Sequence, residues 1–185
     1  MPILGIMASA MSANLWQPEG AYDSLATVTL SAATASVTFA GIPSGYKHLQ
    51  LRILARGNFA YGNLLDGTIN FNGDTTVANY YNHYLKGNGT AASASASNAP
   101  YMSNIFAGAN QTASVFGVAV IDILDYADTN KYKTVRYLGG TDVNGSGQLN
   151  LGSVLWKNTA AISSLFFATD GSMIANSQLA LYGVK

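Results

Sequence analysis

Residues Val115 to Asp142, VFGVAVIDILDYADTNKYKTVRYLGGTD, constrain the fold more than any other stretch of this chain. The run alternates with period two. Val115, Gly117, Ala119, Ile121 and Ile123 point one way, and Phe116, Val118, Val120, Asp122 and Leu124 point the other. Apolar residues on both sides of such a run predict a strand covered on both faces for most of its length, with Ile121 and Ile123 in the core. The stretch Asp125 to Asn130 then breaks the pattern, because Asp and Asn side chains bond nearby backbone and favour turns. A second alternation, Tyr132, Thr134, Arg136 and Leu138 against Lys133, Val135 and Tyr137, runs to Gly139-Gly140. Two long strands and a polar turn predict a central β-hairpin, with Asp122 facing Arg136 across it.

The rest of the chain repeats this theme. Lys47–Arg56 alternates cleanly: Leu49, Leu51, Ile53 and Ala55 are expected to face the core. His48, Gln50, Arg52 and Arg56 are expected to face out, with Leu54 breaking the pattern. Tyr22–Leu30 and Thr34–Ala40, joined by the small residues Ser31, Ala32 and Ala33, read as a hairpin. Further strand-like runs are Asp66–Asn72, Ala78–Lys86, Tyr101–Ala107, Gln148–Trp156, Ile162–Ala168 and Gln178–Val184. Residues 87–99, GNGTAASASASNA, hold no large apolar group and read as an exposed flexible loop. No window carries an amphipathic helix of useful length, and Asn158–Ile162 allows at most one turn. About nine or ten strands separated by Gly, Asn and Ser turns predict an all-β antiparallel sandwich, with a jelly roll as its expected form.

At 185 residues the chain suits one such domain, over residues 21–185, preceded by an arm over residues 1–20. The arm, MPILGIMASAMSANLW and the turn after it, has no basic start of the kind a secretory signal needs. It is also too short and too polar to span a bilayer. Its apolar side chains Ile3, Leu4, Ile6, Met7, Met11, Leu15 and Trp16 are expected to dock on a neighbouring subunit.

Charge and motifs exclude several functions. Charged residues make up 10% of the chain, and nine basic side chains balance nine acidic ones, which gives no electrostatic grip on nucleic acid or an acidic membrane. There is no Cys, no nucleophile elbow and no phosphate-cradling glycine loop with its Lys, so neither an enzyme nor a cofactor is expected. Asp142 to Gly147 looks faintly like a calcium loop without its closing acid and reads as a hairpin turn. His48 and His83 are expected as separate surface histidines, and Asp125, Asp128 and Asn130 as turn caps. Tyr80, Tyr81, Tyr84 and Tyr101 form a candidate subunit interface or, alternatively, a sugar platform, since aromatic faces beside Asn suit either.

Several segments together resemble a family of small virion proteins of tailed bacteriophages. They are residues 42–52 (IPSGYKHLQLR), residues 121–127 (IDILDYA), residues 129–131 (TNK), residues 133–136 (KTVR), residues 155–159 (LWKNT) and residues 179–184 (LALYGV). The resemblance spans most of residues 20–185 and carries no catalytic motif. It implies a structural protein on the virion surface, assembled in the host cytoplasm, with other virion proteins (major capsid or tail) as partners. A homo-oligomer is expected, a trimer first among the choices. Two roles fit: a capsid decoration (cement) protein, or a tail appendage that recognises host surface glycan. The sequence has no heptad run, collagen repeat or β-helix period of the kind a fibre shaft needs, which favours decoration.

Overall fold

The computed structural model describes residues 20–60, 64–143 and 147–185. The seven apolar arm side chains proposed to dock, from Ile3 to Trp16, lie outside the described residues. The strands are β1 (Tyr22–Thr29), β2 (Thr34–Ala40), β3 (His48–Ala55), β4 (Leu64–Phe71), β5 (Tyr80–Gly87) and β6 (Ala92–Ser97). They continue with β7 (Tyr101–Ala107), β8 (Gly117–Leu124), β9 (Lys133–Asp142), β10 (Gly147–Trp156), β11 (Ser164–Met173) and β12 (Gln178–Val184). A single 3-10 turn at Val77–Asn79 is the only helical element among the described residues.

Two antiparallel sheets face each other. One has eight strands in the order β1-β12-β3-β8-β9-β10-β5-β6, the other four in the order β2-β11-β4-β7. The pairings β1·β12, β2·β11, β3·β8 and β4·β7 describe one long antiparallel ribbon rolled over on itself. The additional pairings β12·β3 and β11·β4 close the roll. That is the jelly-roll winding, four strands in each layer. Two hairpins are inserted into it. β5–β6 follows β4 and β9–β10 follows β8, and together they widen the large sheet beyond β8.

The central hairpin forms in the expected register, with Val120 opposite Leu138, Asp122 opposite Arg136 and Ile123 opposite Val135. Ile121 and Ile123 are fully buried. Ile123→Val is therefore expected to cost about 1 kcal/mol in urea unfolding, the usual price of one buried methylene. An unchanged midpoint would show that the Ile123 site is loosely packed.

Several expectations are corrected. β1 and β2 do not form a hairpin, because β1 pairs with β12 in the large sheet and β2 with β11 in the small one. Residues 31–33 instead carry the chain across the sandwich beside a second crossing, β11 to β12. The two crossings are laced together where Leu30 N–H donates to the Ser177 carbonyl (2.9 Å) and Asn176 N–H donates to the Leu30 carbonyl (2.8 Å). Residues 92–97 are a strand rather than a loop. β6 pairs with β5 along its length although every one of its residues is exposed. Backbone hydrogen bonding alone holds it, since Ala and Ser offer little to bury. Arg56 does not face out. It is buried, and its guanidinium donates to the carbonyls of Ala109, Gln111, Thr112 and Val115.

The fourth correction matters most for function. β8 is covered on one face only: Gly117, Ala119, Ile121 and Ile123 are buried, while Val118, Val120 and Leu124 are exposed. The jelly roll places β8 in the large sheet, whose outer side has no second layer among the described residues.

Candidate functional site

The outer face of the large sheet carries an apolar band that strand register assembles from six strands. In one row Val120 of β8 lies beside Leu138 of β9, then Leu151 of β10, Leu85 of β5 and Ala94 of β6. In the next row Leu54 of β3 lies beside Val118, then Gly140, Leu149, Gly87 and Ala92. Leu149 is 59% exposed, Val118 is 55% and Leu85 is 60%, values more usual for lysine than for leucine or valine. Seven such side chains, each about half exposed, present on the order of several hundred Å² of contiguous apolar surface, near the upper limit for a monomer.

The band has unlike borders. On one side lies a polar row of Gln50, Asp122, Arg136, Ser153 and His83. Gln50 Nε2 donates to Asp122 Oδ1 at 2.8 Å and Arg52 Nε to Gln50 Oε1 at 2.7 Å, so this border is an organised hydrogen-bonded edge. On the other side lie Asn88 and Gly89 and the ends of β9 and β10 at Asp142 and Gly147. Here lies a groove of about 640 Å³, with Val118, Val120, Leu138, Gly139, Gly140 and Leu149 in its lining. Gly140 keeps the floor flat for a local reason. A Cβ there would come within 2.2 Å of the Gln148 carbonyl oxygen, so no other residue allows β10 this close.

The inner side of the same strands is closely packed, and several of its polar side chains are hydrogen-bonded. Trp156 Nε1–H donates to Asp74 Oδ2 at 2.8 Å, and its ring lies 5.5 Å from that of Phe71. Asn82 Nδ2–H donates to the carbonyls of Ala99 and Tyr101, and Asn150 Nδ2–H to that of Asn104, fastening β5 and β10 to the chain around β7. Gly152 leaves room for the Tyr137 ring, which lies 2.5 Å from where a Cβ would stand.

The four tyrosines singled out in the sequence do not form one surface. Tyr80 is fully buried, a correction to its place in an interface or platform: it points inward from β5, its hydroxyl donating to the Asp74 carbonyl and accepting from Phe71 N–H. Tyr84, four residues on, points inward too and is half-buried against the core. Tyr81 faces out, its ring 5.3 Å from that of His83. Tyr101 is exposed on β7, in the other sheet.

The acidic candidates are engaged in structure. Asp125 sits in the left-handed region (φ 47°) and its carboxylate takes ion pairs from Lys47 (2.9 Å) and Lys131. Its backbone N–H donates to His48 Nδ1 at 2.9 Å. Asp128 Oδ1 accepts from Asn130 N–H at 2.8 Å. Among the described residues, no three His, Asp or Glu side chains cluster as metal ligands. Lys131 and Lys47 hold the Asp125 carboxyl down to about 2, against the opposing effect of burial. Because this folded value lies below the ordinary 3.8, the stabilisation is complete above about pH 4 and is lost as pH falls through about 2. A carbon-detected titration is expected to place the Asp125 midpoint near 2, and near 3.8 in the Lys47→Ala/Lys131→Ala double variant. A wild-type midpoint already near 3.8 would show that the lysines do not hold it.

The face as a whole was not predicted from sequence. Its signal was present in the exposed partners of each alternation, Leu149 with Leu151 and Val118 with Val120, but a leucine facing solvent reads as a leucine facing a core. No family model, no curated protein and no solved structure matches the chain.

Proposed function

We propose that this protein is a non-enzymatic structural protein of a tailed-phage virion, a capsid decoration protein that contacts other virion proteins and forms a homo-oligomer. The observation that carries the reading is the apolar band on the large sheet of a body with few charges. A contiguous apolar face bordered by polar residues is what a protein contact needs, and it is costly on a protein that stays alone in water. The resemblance of residues 42–52, 121–127, 129–131, 133–136, 155–159 and 179–184 to small virion proteins supplies the kind of assembly. The arm then docks on neighbouring subunits, and the body sits on the particle surface.

The second role, a tail appendage that recognises host glycan, rests on the exposed Tyr81–His83 pair, an aromatic face next to a hydrogen-bonding ring. One experiment separates the two. Gold labelling of a tag added after Lys185, viewed on purified particles, is expected to decorate the head. Label confined to the tail would favour the appendage, and label on neither would overturn both.

A further inference from the structure

β6 is the last strand of the large sheet, and strand register fixes which of its backbone groups face outward. At the turn between β5 and β6, Asn88 N–H donates to the Ala91 carbonyl (3.2 Å). Just before β5, the Asn79 carbonyl accepts from Lys157 N–H (2.7 Å). Along an antiparallel strand, alternate residues bond to one neighbour and the residues between them to the other. Counting from either bond gives the same answer: Asn82, Tyr84 and Lys86 bond to Ser97, Ser95 and Ser93. Ala92, Ala94 and Ala96 therefore turn their N–H and C=O groups away from β5. No strand among the described residues meets them there.

We infer that this edge pairs with β6 of a second copy, antiparallel and about a two-fold axis through Ala94. Three features select that occupant. The first is the hydrogen bonding. Such a pairing sets Ala94 opposite Ala94 of the second copy and Ala92 opposite its Ala96. Every outward group of the three alanines then finds a partner, in about six backbone hydrogen bonds.

The second is the side chains. β6 reads ASASAS, with no charge and no proline, the usual devices by which an edge strand refuses a partner. On the outer face alanine meets only alanine, and on the other face Ser93 meets Ser95 of the second copy. The strand therefore approaches its own copy without a clash or a pair of like charges.

The third is the opposite edge of the same sheet. β1 shifts register between Ser24 and Ala26, and its Asp23 is ion-paired with Lys185 (3.3 Å). A bulged edge carrying charge is a poor template for a straight strand. Pairing of β6 with β1, which would run on from copy to copy into a filament, is thereby disfavoured, and self-pairing closes after two copies.

The edge is also set before it meets a partner. Asn88 Oδ1 accepts from the N–H groups of Thr90 (3.1 Å) and Ala91 (2.9 Å), which fixes the turn that leads into β6. Across the axis both outer faces lie on one side, so the two apolar bands run along a single continuous sheet. A short edge buries less than a standard interface, and the dimer is expected to dissociate in the micromolar range. The inference rests on the homo-oligomer of the reading above and not on the virion.

Sedimentation velocity of the full-length protein tests it, and is expected to show a monomer–dimer equilibrium. Ala94→Lys and Ala94→Glu, at an exposed position, are each expected to weaken the dimer at least about ten-fold, because like charges then meet on the axis. An equimolar mixture of the two variants is expected to restore it, since opposite charges then meet. Leu149→Asp, on the apolar band, is expected to leave it unchanged. Amide hydrogen exchange reads the unaltered protein. The amides of Ala92, Ala94 and Ala96 are expected to slow as concentration rises, while those of Ser93, Ser95 and Ser97 are protected throughout. If a charged variant loses its folded spectrum, this exchange pattern decides. A monomer at near-millimolar concentration overturns the pairing and the homo-oligomer together. A dimer that survives both Ala94 variants, a mixture that stays monomeric, or alanine amides indifferent to concentration overturns the pairing alone. Loss of the dimer only in Leu149→Asp would give the homo-oligomer to the band instead.

Discussion

Trp156→Ala is expected to destabilise the domain by about 4–5 kcal/mol, the upper part of the range for truncating a buried aromatic. Trp156 is the largest fully buried side chain among the described residues, and it sits at the end of β10, packed against Phe71 on the small sheet. Removing the indole leaves a large cavity between the sheets. It also takes from the Asp74 carboxylate a donor that helps hold that group in place. Burial pushes the Asp74 carboxyl up, but hydrogen bonds from Trp156, Asn79 and Thr76 outweigh it, and the net direction is down. Trp156→Phe isolates the second effect, because it keeps much of the ring volume and loses the N–H, and should cost about 1.5–3 kcal/mol. Urea unfolding of both variants checks the difference. Equal losses would mean that the hydrogen bond, not the packing, carries the site. A loss below about 1 kcal/mol for Trp156→Ala would mean that the inserted hairpins are not part of the cooperative core.

Lys133→Met is expected to cost about 3 kcal/mol, an effect set by two opposing contributions. Lys133 is fully buried, and burial lowers its pKa. Its ammonium donates to the backbone carbonyls of Asp128, Lys131 (3.0 Å) and Thr159 (2.9 Å). It thereby ties the turn between β8 and β9 to the chain leaving β10. Replacement by Met relieves the desolvation of a charge. It also leaves three carbonyls short of a donor, at about 1–3 kcal/mol each, reduced where water enters from the nearby turn. The second effect wins, because a strand-end lysine with three preformed acceptors has already recovered most of its lost hydration. A Met variant as stable as the wild type would show that water replaces the ammonium at no cost. Measuring both proteins at a pH well below the Lys133 pKa keeps the charge state of the reference fixed.

These two residues show what could and could not be read beforehand. The period-two runs announce β3, β8 and β9, with the core-facing residues of β3 and β8, because alternation is local and a strand must place successive side chains on opposite faces. The strand that ends in Trp156 follows from the same logic. The burial of Lys133 and Arg56 does not, since their partners are carbonyls from distant loops, and nothing in a side chain's identity announces them. β6 was missed for the complementary reason: a strand of Ala and Ser is held by its backbone and leaves no hydrophobic trace. The pairing of β1 with β12 rather than β2 is likewise hidden, because a short turn looks the same whether it returns the chain to its own sheet or carries it to the other.

The candidate site marks the same division. By its sequence alone the chain was committed to an antiparallel sandwich and to an apolar arm without a charged side chain in its first 18 residues, for alternation and composition act over a few residues at a time. Which side of Val118, Val120, Leu138, Leu149 and Leu151 would be covered was decided only by the tertiary structure. Strand pairing aligned these residues into one band, and the inserted hairpins widened the large sheet past the small one. Among the described residues the outer face then had nothing to rest on, because a sheet has two sides and the second layer of a jelly roll covers one of them.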